Sequence, residues 1–150
     1  MSLTPMEIAL LEAQWAAKKD EVPVGAVITR GKVIIARSGN SIKAACDPTG
    51  HAEIRVIRMA CEAFKSERLP DCDLYVTLEP CAMCAAAISF ARIRRLYYAT
   101  SDPKGGAIEH GARLYQQPTC HHSPEVYSGF KEKEAAQLLK GFFAQKRRQK

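Results

Sequence analysis

Long hydrophobic runs are missing from this sequence, in which no stretch of about 18 residues is free of Asp, Glu, Lys and Arg. We therefore expect no membrane-spanning helix. Residues 1–19 carry Glu7 and Glu12 among their apolar positions, and no small-residue cleavage site follows. We accordingly expect no signal peptide and a cytoplasmic protein. Internal repeats and low-complexity linkers are also missing, which predicts one domain over residues 1–150.

Acidic side chains are the minority charge, with 16 Asp and Glu against 22 Lys and Arg and a net charge of +6. A positive net charge favours anionic partners, and among these we expect nucleic acid before a membrane surface. The final segment, residues 146–150, is almost entirely basic. It is interpreted either as a tail that contacts RNA or as a solvated helix end without a specific ligand.

The six cysteines do not indicate a disulfide scaffold, because the chain is long for one and no secretion signal is expected. Cys61 and Cys72 lie among apolar residues and are predicted to be small buried side chains. Cys46 and Cys120 lie in polar stretches and are predicted to be free thiols. The remaining two belong to a metal-ligand motif.

Helical spacing of apolar residues predicts four helices, over residues 6–19, 51–64, 80–92 and 131–148. Thr4 and Pro5 fit the N-cap and the first position of the first helix.

Four strands are predicted, at Val24–Thr29, Val33–Ala36, Cys72–Leu78 and Arg95–Thr100. The third of them is predicted to be buried on both faces. The long polar stretches, Ser38–Gly50 and Ser101–Ser128, are predicted to be loops. Strands separated by helices indicate an α/β layered domain.

The residues His51-Ala52-Glu53 and, further on, Pro80-Cys81-Ala82-Met83-Cys84 carry the chemistry. One imidazole and two thiolates supply three ligands for Zn²⁺ and leave a fourth position open, as catalytic zinc sites do. Cys81 and Cys84 are three residues apart, so they share one face of a helix, and the positive helix N-terminus stabilises thiolates. Pro80 suits the first turn, where its missing N–H costs nothing.

Glu53 is predicted to move protons at this site. It shares a site with His51 only if both residues stand in the irregular first turn of their helix. There Glu53 would take a proton from a zinc-bound water and return it to substrate and leaving group. The alternative for Glu53 is a solvated first-turn acid that the helix dipole favours. The alternative for the metal is a closed structural site with a fourth ligand from Cys46, His110, Cys120, His121 or His122.

This H-x-E…P-C-x-x-C pattern resembles the zinc-dependent cytidine/deoxycytidylate deaminase superfamily. Further stretches are similar to its bacterial tRNA-specific adenosine deaminase branch, and the likeness covers nearly the whole chain. These stretches are Glu21–Val27, Asn40, Asp47-Pro48-Thr49, Thr77–Cys81 and Asp102-x-Lys104-x-Gly106-Ala107.

The resemblance implies a three-layer α/β/α cytidine-deaminase-like fold with a central five-stranded mixed sheet. It implies hydrolytic deamination of adenosine to inosine at the wobble position of a tRNA anticodon, with release of ammonia. It assigns His51, Cys81 and Cys84 as ligands of one Zn²⁺ per subunit and Glu53 as the catalytic proton shuttle.

The resemblance also implies substrate contacts. Asn40 would hold the flipped nucleoside, and the loop with Asp102 and Lys104 would shape the path of the anticodon stem-loop. The last helix offers Phe143 for stacking and Arg147 for phosphate contacts, the two means by which RNA loops are held. The alternative for the phenylalanine is packing against the core.

A homodimer is the assembly that the resemblance implies. The small side chains of 85–91 would let two such helices approach, or they pack tightly on the protein's own sheet. A competing interpretation of the whole chain is a guanine or cytidine deaminase that acts on a free base or nucleoside. Another is a non-catalytic RNA-binding module braced by zinc. Cys120-His121-His122 has no assigned role and is interpreted as a polar loop rather than a second metal site.

Overall fold

The computed structural model describes residues 2–149. Within them the chain forms a sheet whose strands are β1 Gly25–Arg30, β2 Val33–Gly39, β3 Cys72–Leu78, β4 Arg95–Thr100 and β5 Glu125–Ser128. The helices are α1 Pro5–Lys18, α2 Ala52–Phe64, α3 Ala82–Phe90 and α4 Glu132–Arg148, with a short 3₁₀ turn at Leu114–Gln116. Among these residues, no helix combines the length and the apolar character that a membrane span requires.

The strand order is β2-β1-β3-β4-β5. β1 pairs antiparallel with both β2 and β3, whereas β3, β4 and β5 run parallel. The expected five-stranded mixed sheet is therefore confirmed. The parallel strands end at the same edge of the sheet, so the loops after β3 and β4 lie close together.

Helices cover the sheet on two sides. Alternate residues of β1 point to opposite faces, so Ala26 and Ile28 join one buried cluster and Val27 joins the other. The first cluster includes residues of α2 and α3, and the second includes residues of α1 and α4. This arrangement gives the three layers, and it places the starts of α2 and α3 on the same face.

Two predictions about the strands were wrong: one strand was missed and another was predicted too short. The region 101–128 was predicted to be loop throughout, but Glu125–Ser128 adds the fifth strand beside β4. This strand is short, lies at the edge and is mostly exposed, so it lacks the alternation of apolar residues that reveals a strand. β2 also continues past Ala36 to Gly39, because its final residues pair with the start of β1.

The predicted N-cap of α1, Thr4, is confirmed, and it forms a capping box with Glu7.

Glu21 is a buried carboxylate that shapes the loop before α2. Its side chain accepts hydrogen bonds from the backbone N–H groups of Ile42, Lys43 and Ala44, at 3.0, 3.3 and 2.9 Å. Burial by itself would raise the pKa of Glu21, but these three donors hold the pKa below its usual value. The folded structure therefore stabilises the ionised carboxylate of Glu21 relative to the protonated form.

Replacing Glu21 with Gln should destabilise the protein in a pH-dependent way. At pH 7 we expect a loss of about 2 kcal/mol, since buried donors lose a charged acceptor. The folded pKa of Glu21 lies below its unfolded value near 4.3, so this contribution is complete above that pH and fades as the pH falls through the folded pKa.

Urea unfolding of the native protein and the variant at pH 7 and near pH 3 measures this difference. Glu67→Gln removes an exposed carboxylate and serves as the control. A stability gap of the same size at both pH values would contradict the assignment.

Candidate active site

The site forms where two helices begin. His51 is the N-cap of α2 and Cys81 is the N-cap of α3, both with extended backbone angles (φ −68°, ψ 150° and φ −72°, ψ 175°). The carbonyl of each accepts the first hydrogen bond of its helix, from Arg55 and Ala85 respectively. The prediction that the third helix begins at Pro80 and includes Cys81 was therefore wrong by two residues. Cys81 stands just outside the helix, with its side chain free to face His51.

Three side chains meet at this point. Nδ1 of His51 lies 3.6 Å from Sγ of Cys81 and 3.5 Å from Sγ of Cys84. Zinc bonds of about 2.3 Å to sulfur and about 2.05 Å to nitrogen at tetrahedral angles would put such atoms about 3.6 Å apart. The donor set and its spacing therefore fit one zinc ion.

The five residues considered as a fourth ligand stand apart from this cluster. Within residues 2–149 the His, Cys, Asp and Glu group that could hold a metal contains three members, His51, Cys81 and Cys84. His110 instead faces the buried carboxylate of Glu79. His122 Nε2 lies 2.8 Å from the Ile93 carbonyl oxygen, and Cys46 is exposed. Among residues 2–149 the number of donors is thus three, the number that catalytic zinc sites with an open fourth position use.

The shifted pKa values of the three side chains favour binding of a cation. A hydrogen bond from Cys84, together with His51, lowers the pKa of Cys81 to about 4. The same hydrogen bond and burial raise the pKa of Cys84 far above its usual value, and the contact with Cys81 raises the pKa of His51. One thiolate is thus present at neutral pH, and a metal ion would displace the proton of the second.

Glu53 lies in the first turn of α2 and is only 4% exposed. Burial and the negative charge of Cys81 raise its pKa to about 7. A carboxyl with this pKa can accept and release a proton near neutral pH. The alternative of a solvated first-turn acid is excluded by the burial of the side chain.

Asn40 contacts the same helix start. Its Oδ1 accepts a hydrogen bond of 2.8 Å from the N–H of Ala52, so it caps α2 in place of His51, whose own side chain makes no cap. Asn40 is buried next to His51 in the fold, and its contact with a nucleoside stays a prediction.

The other predicted substrate residues meet in a second place. A cavity of about 850 Å³ lies between α4 and the loop after β4, and we call it the basic groove. It is lined by Val22, Leu78, Thr100, Ser101, Asp102, Lys104, Gly105, Ala136, Leu139, Lys140, Phe143, Lys146 and Arg147. The basic groove therefore brings together four predicted substrate residues, Asp102, Lys104, Phe143 and Arg147. Its lining does not include His51, Cys81 or Cys84. Lys150, at the end of the basic tail, lies outside the described residues.

Phe143 does not join the core, since its side chain is 44% exposed in the groove. Lys146 pairs with Asp20, which ties the end of α4 to the turn after α1. Cys120-His121-His122 forms a polar loop as predicted, with His122 held by the Ile93 carbonyl and Cys120 3.6 Å from the Ser89 hydroxyl.

The sequence analysis did not predict the contact between two residues next to the site, Glu79 and His110. Glu79 is an acid placed between a strand buried on both faces and Pro80, and its side chain is fully buried. His110, which the sequence analysis names only as a possible fourth metal ligand, lies with its Nδ1 2.8 Å from Oε1 of Glu79. An acid enclosed by a buried strand and a proline is the signal that would have found Glu79.

A three-layer domain with a His-Cys-Cys cluster at two helix starts and a buried glutamate beside it defines the cytidine-deaminase-like class of deaminases. Residues 3–147 match the family model of the MafB19-like deaminases. The tRNA-specific adenosine deaminase of Agrobacterium fabrum is 64% identical over 142 residues, which are 95% of this chain and 93% of the relative. The chain belongs to the family of bacterial tRNA-specific adenosine deaminases.

Further similar proteins share either the family or only the fold. The tRNA-specific adenosine deaminase of Bacillus subtilis is 41% identical over 145 residues, covering 97% of this chain and 90% of the relative. A structure from a study of A-to-I editing by tRNA:A34 deaminases superposes with a TM-score of 0.89 at 64% identity, covering 90% of this chain and 98% of the other. Guanine deaminase from Nitrosomonas europaea, at 20% identity and a TM-score of 0.80, covering 93% of this chain and 83% of the other, shares the fold.

Replacing Cys84 with Ala should abolish stoichiometric metal binding. The cluster joins the starts of two helices, so we also expect the free energy of unfolding to fall by about 4 kcal/mol or more. Elemental analysis and thermal unfolding of the purified protein measure both effects.

The matched control is Cys46→Ala, the same change at an exposed cysteine outside the cluster. Full metal content and normal melting of the Cys84 variant would contradict the assignment.

Proposed function

We propose that this chain deaminates adenosine to inosine at the wobble position of a tRNA anticodon by hydrolysis, with release of ammonia. The observation that carries the proposal is the buried Glu53 beside the cluster of His51, Cys81 and Cys84. Support for the substrate comes from the relative with 64% identity, which is named a tRNA-specific adenosine deaminase.

His51, Cys81 and Cys84 would hold one zinc ion per chain through Nδ1 and two Sγ atoms. A zinc ion with three protein ligands, when bound, supplies hydroxide at neutral pH by lowering the pKa of water to about 7. Cys84 and Glu53 are buried, whereas His51 and Cys81 are only partly buried, so a substrate could reach the site from the side of His51 and Cys81.

Glu53 would carry the proton traffic of the reaction. Its carboxylate takes a proton from the attacking water and gives it to the adenine ring, and a further transfer lets the amino group leave as ammonia. Water is consumed, the C6–N bond breaks and inosine remains.

The basic groove would bind the nucleotides on either side of the target. Lys104 and Arg147 supply positive charge for phosphates, and Phe143 presents a half-exposed ring for stacking. Asp102 orders its own loop, since its carboxylate accepts from the N–H groups of Lys104 and Gly105. Asn40 would contact the flipped nucleoside where α2 begins.

A substrate of this kind explains features that a free base leaves without a use. The groove and the basic end of α4 offer contacts over a length of RNA, whereas guanine or cytidine would fill only the space near Glu53. An anticodon loop is already single-stranded, so presenting its base costs less than extruding one from a duplex. A non-catalytic RNA-binding module would give the buried Glu53 no task.

We further propose that the protein is a cytoplasmic homodimer. The alanine-rich part of α3 packs on the protein's own core through Ala85 and Ile88, while Phe90 at its end is 81% exposed. Phe90 lines a second cavity of about 310 Å³, so this face offers apolar surface to a second copy. Sedimentation velocity tests the assembly, and a monomer at micromolar concentration would contradict it.

Replacing Glu53 with Ala should lower turnover of an anticodon stem-loop by about 10²–10⁴-fold, the usual contribution of a general acid–base group. Zinc content and RNA affinity should stay within about twofold of the native values, since Glu53 is assigned neither role. Inosine formation, elemental analysis and a binding titration measure the three quantities.

Glu62→Ala, an exposed position on the same helix, is the control. Unchanged turnover in the Glu53 variant would contradict its role, and activity on free guanine rather than on RNA would refute the proposed substrate.

Deleting residues 146–150 should weaken binding of the stem-loop and flatten its dependence on salt. For each phosphate that the protein no longer neutralises, the slope of log affinity against log salt should become shallower by about 0.7–0.9. The control is the quadruple variant K32Q/R58Q/K65Q/R68Q, which removes as many positive charges at exposed sites outside the basic groove. Equal affinity and slope before and after the deletion would show that the tail does not contact RNA.

A further inference from the structure

The loop 102–110, which follows β4, binds through four of its backbone N–H groups to the carboxylate of Glu79. Oε1 of Glu79 accepts from the N–H of Asp102 at 3.0 Å and lies 2.8 Å from Nδ1 of His110. Oε2 accepts from the N–H groups of Ile108, Glu109 and His110, at 3.1, 3.0 and 3.2 Å. Glu79 itself is 2% exposed. One buried side chain therefore satisfies four backbone donors of this irregular segment.

These contacts decide the shape of the loop, because it has no strand or helix ladder to satisfy its N–H groups. Hydrogen bonds to an ionised carboxylate are shorter and stronger than neutral ones. The close approach depends on Gly106, where a Cβ atom would stand 2.4 Å from Cδ of Glu79. Both the acid and the glycine are thus required for the observed packing.

The same residue is joined to the metal side of the site. Glu79 precedes Pro80 and stands two residues before Cys81 in the turn that leads into α3. The N–H of Ala107 donates to the carbonyl of Pro80 at 2.9 Å, and the N–H of Glu79 donates to the carbonyl of Thr100 at 2.9 Å. The loop and the turn therefore form one hydrogen-bonded unit.

The opposite end of this unit enters the basic groove, whose lining includes Asp102 and Lys104. We propose that Glu79 is a positioning residue, which fixes the groove side chains of the loop 102–110 relative to the ligand Cys81. The RNA part of this inference rests on the proposed function. The claim that Glu79 holds the loop does not depend on the proposed function. The contact with the loop and the effect on RNA binding are therefore tested by separate measurements.

Hydrogen exchange followed by NMR tests the hold on the loop. In the native protein the amides of Asp102, Ile108, Glu109 and His110 should exchange at least about tenfold more slowly than exposed loop amides. In Glu79→Gln the side-chain NH2 group would face backbone N–H groups, and two donors cannot form a hydrogen bond with each other. The slow exchange of these amides should therefore be lost. Gly106→Ala perturbs the same contact from the other side and should give the same result if the first variant folds poorly.

Glu21→Gln is the matched control, since it removes a buried carboxylate that accepts three backbone N–H groups of a different loop. It should leave the four amides of the loop 102–110 protected. Fast exchange of these amides in the native protein, or undiminished protection in both the Glu79 and Gly106 variants, would overturn the inference.

A double-mutant cycle tests the link to RNA. Lys104→Ala should weaken binding of an anticodon stem-loop about threefold to tenfold in the native background and have almost no effect in Glu79→Gln, because Lys104 is then no longer held in place. Zinc content should stay at the native value in all four proteins. Additive effects would show that Glu79 acts only through stability and would overturn the positioning role. If the native protein binds no stem-loop, the proposed function fails, while the exchange measurement still decides whether Glu79 holds the loop.

Discussion

The starts of α2 and α3 share one small space, and the side chains at their N-cap positions have to be compatible there. Each helix start carries partial positive charge and unsatisfied N–H groups, which favour thiolates and carboxylates nearby. His51 and Cys81 occupy these caps, and Cys84 and Glu53 follow within the first turn of each helix. Because both helices lie on the same face of the sheet, the rest of the fold serves to keep these two ends together.

Buried glutamates build the loops on either side of this meeting point. Glu21 accepts from the N–H groups of residues 42–44 before α2, and Glu79 accepts from four N–H groups of the loop 102–110 after β4. Irregular segments have few internal acceptors, so a single carboxylate replaces the ladder that regular structure would supply. The protein thereby gains loops of defined shape without lengthening its helices or strands.

The sequence was sufficient for the elements with strong periodicity and for the ligand motif. The His-x-Glu and Cys-x-x-Cys pairs are short patterns whose members are close in sequence, so the sequence predicted which side chains would meet, and the structure places His51, Cys81 and Cys84 together. β5 was missed because an exposed edge strand has no buried face to reveal it. Glu79 has a local signal, its place between a buried strand and a proline, but its role could not be predicted because its partners lie 23 to 31 residues further along the chain. The separation of the basic groove from the metal cluster likewise follows only from the packing of α4.

X-ray absorption spectroscopy of the zinc-loaded protein tests the central claim, which is that three side chains hold the metal and one position stays open to solvent. We expect two sulfur ligands at about 2.3 Å, one imidazole nitrogen at about 2.0–2.1 Å and one further light atom that does not belong to a histidine. The multiple scattering of imidazole counts the histidines directly. A third sulfur or a second imidazole on the zinc would mean a closed site, and the catalytic account would be contradicted.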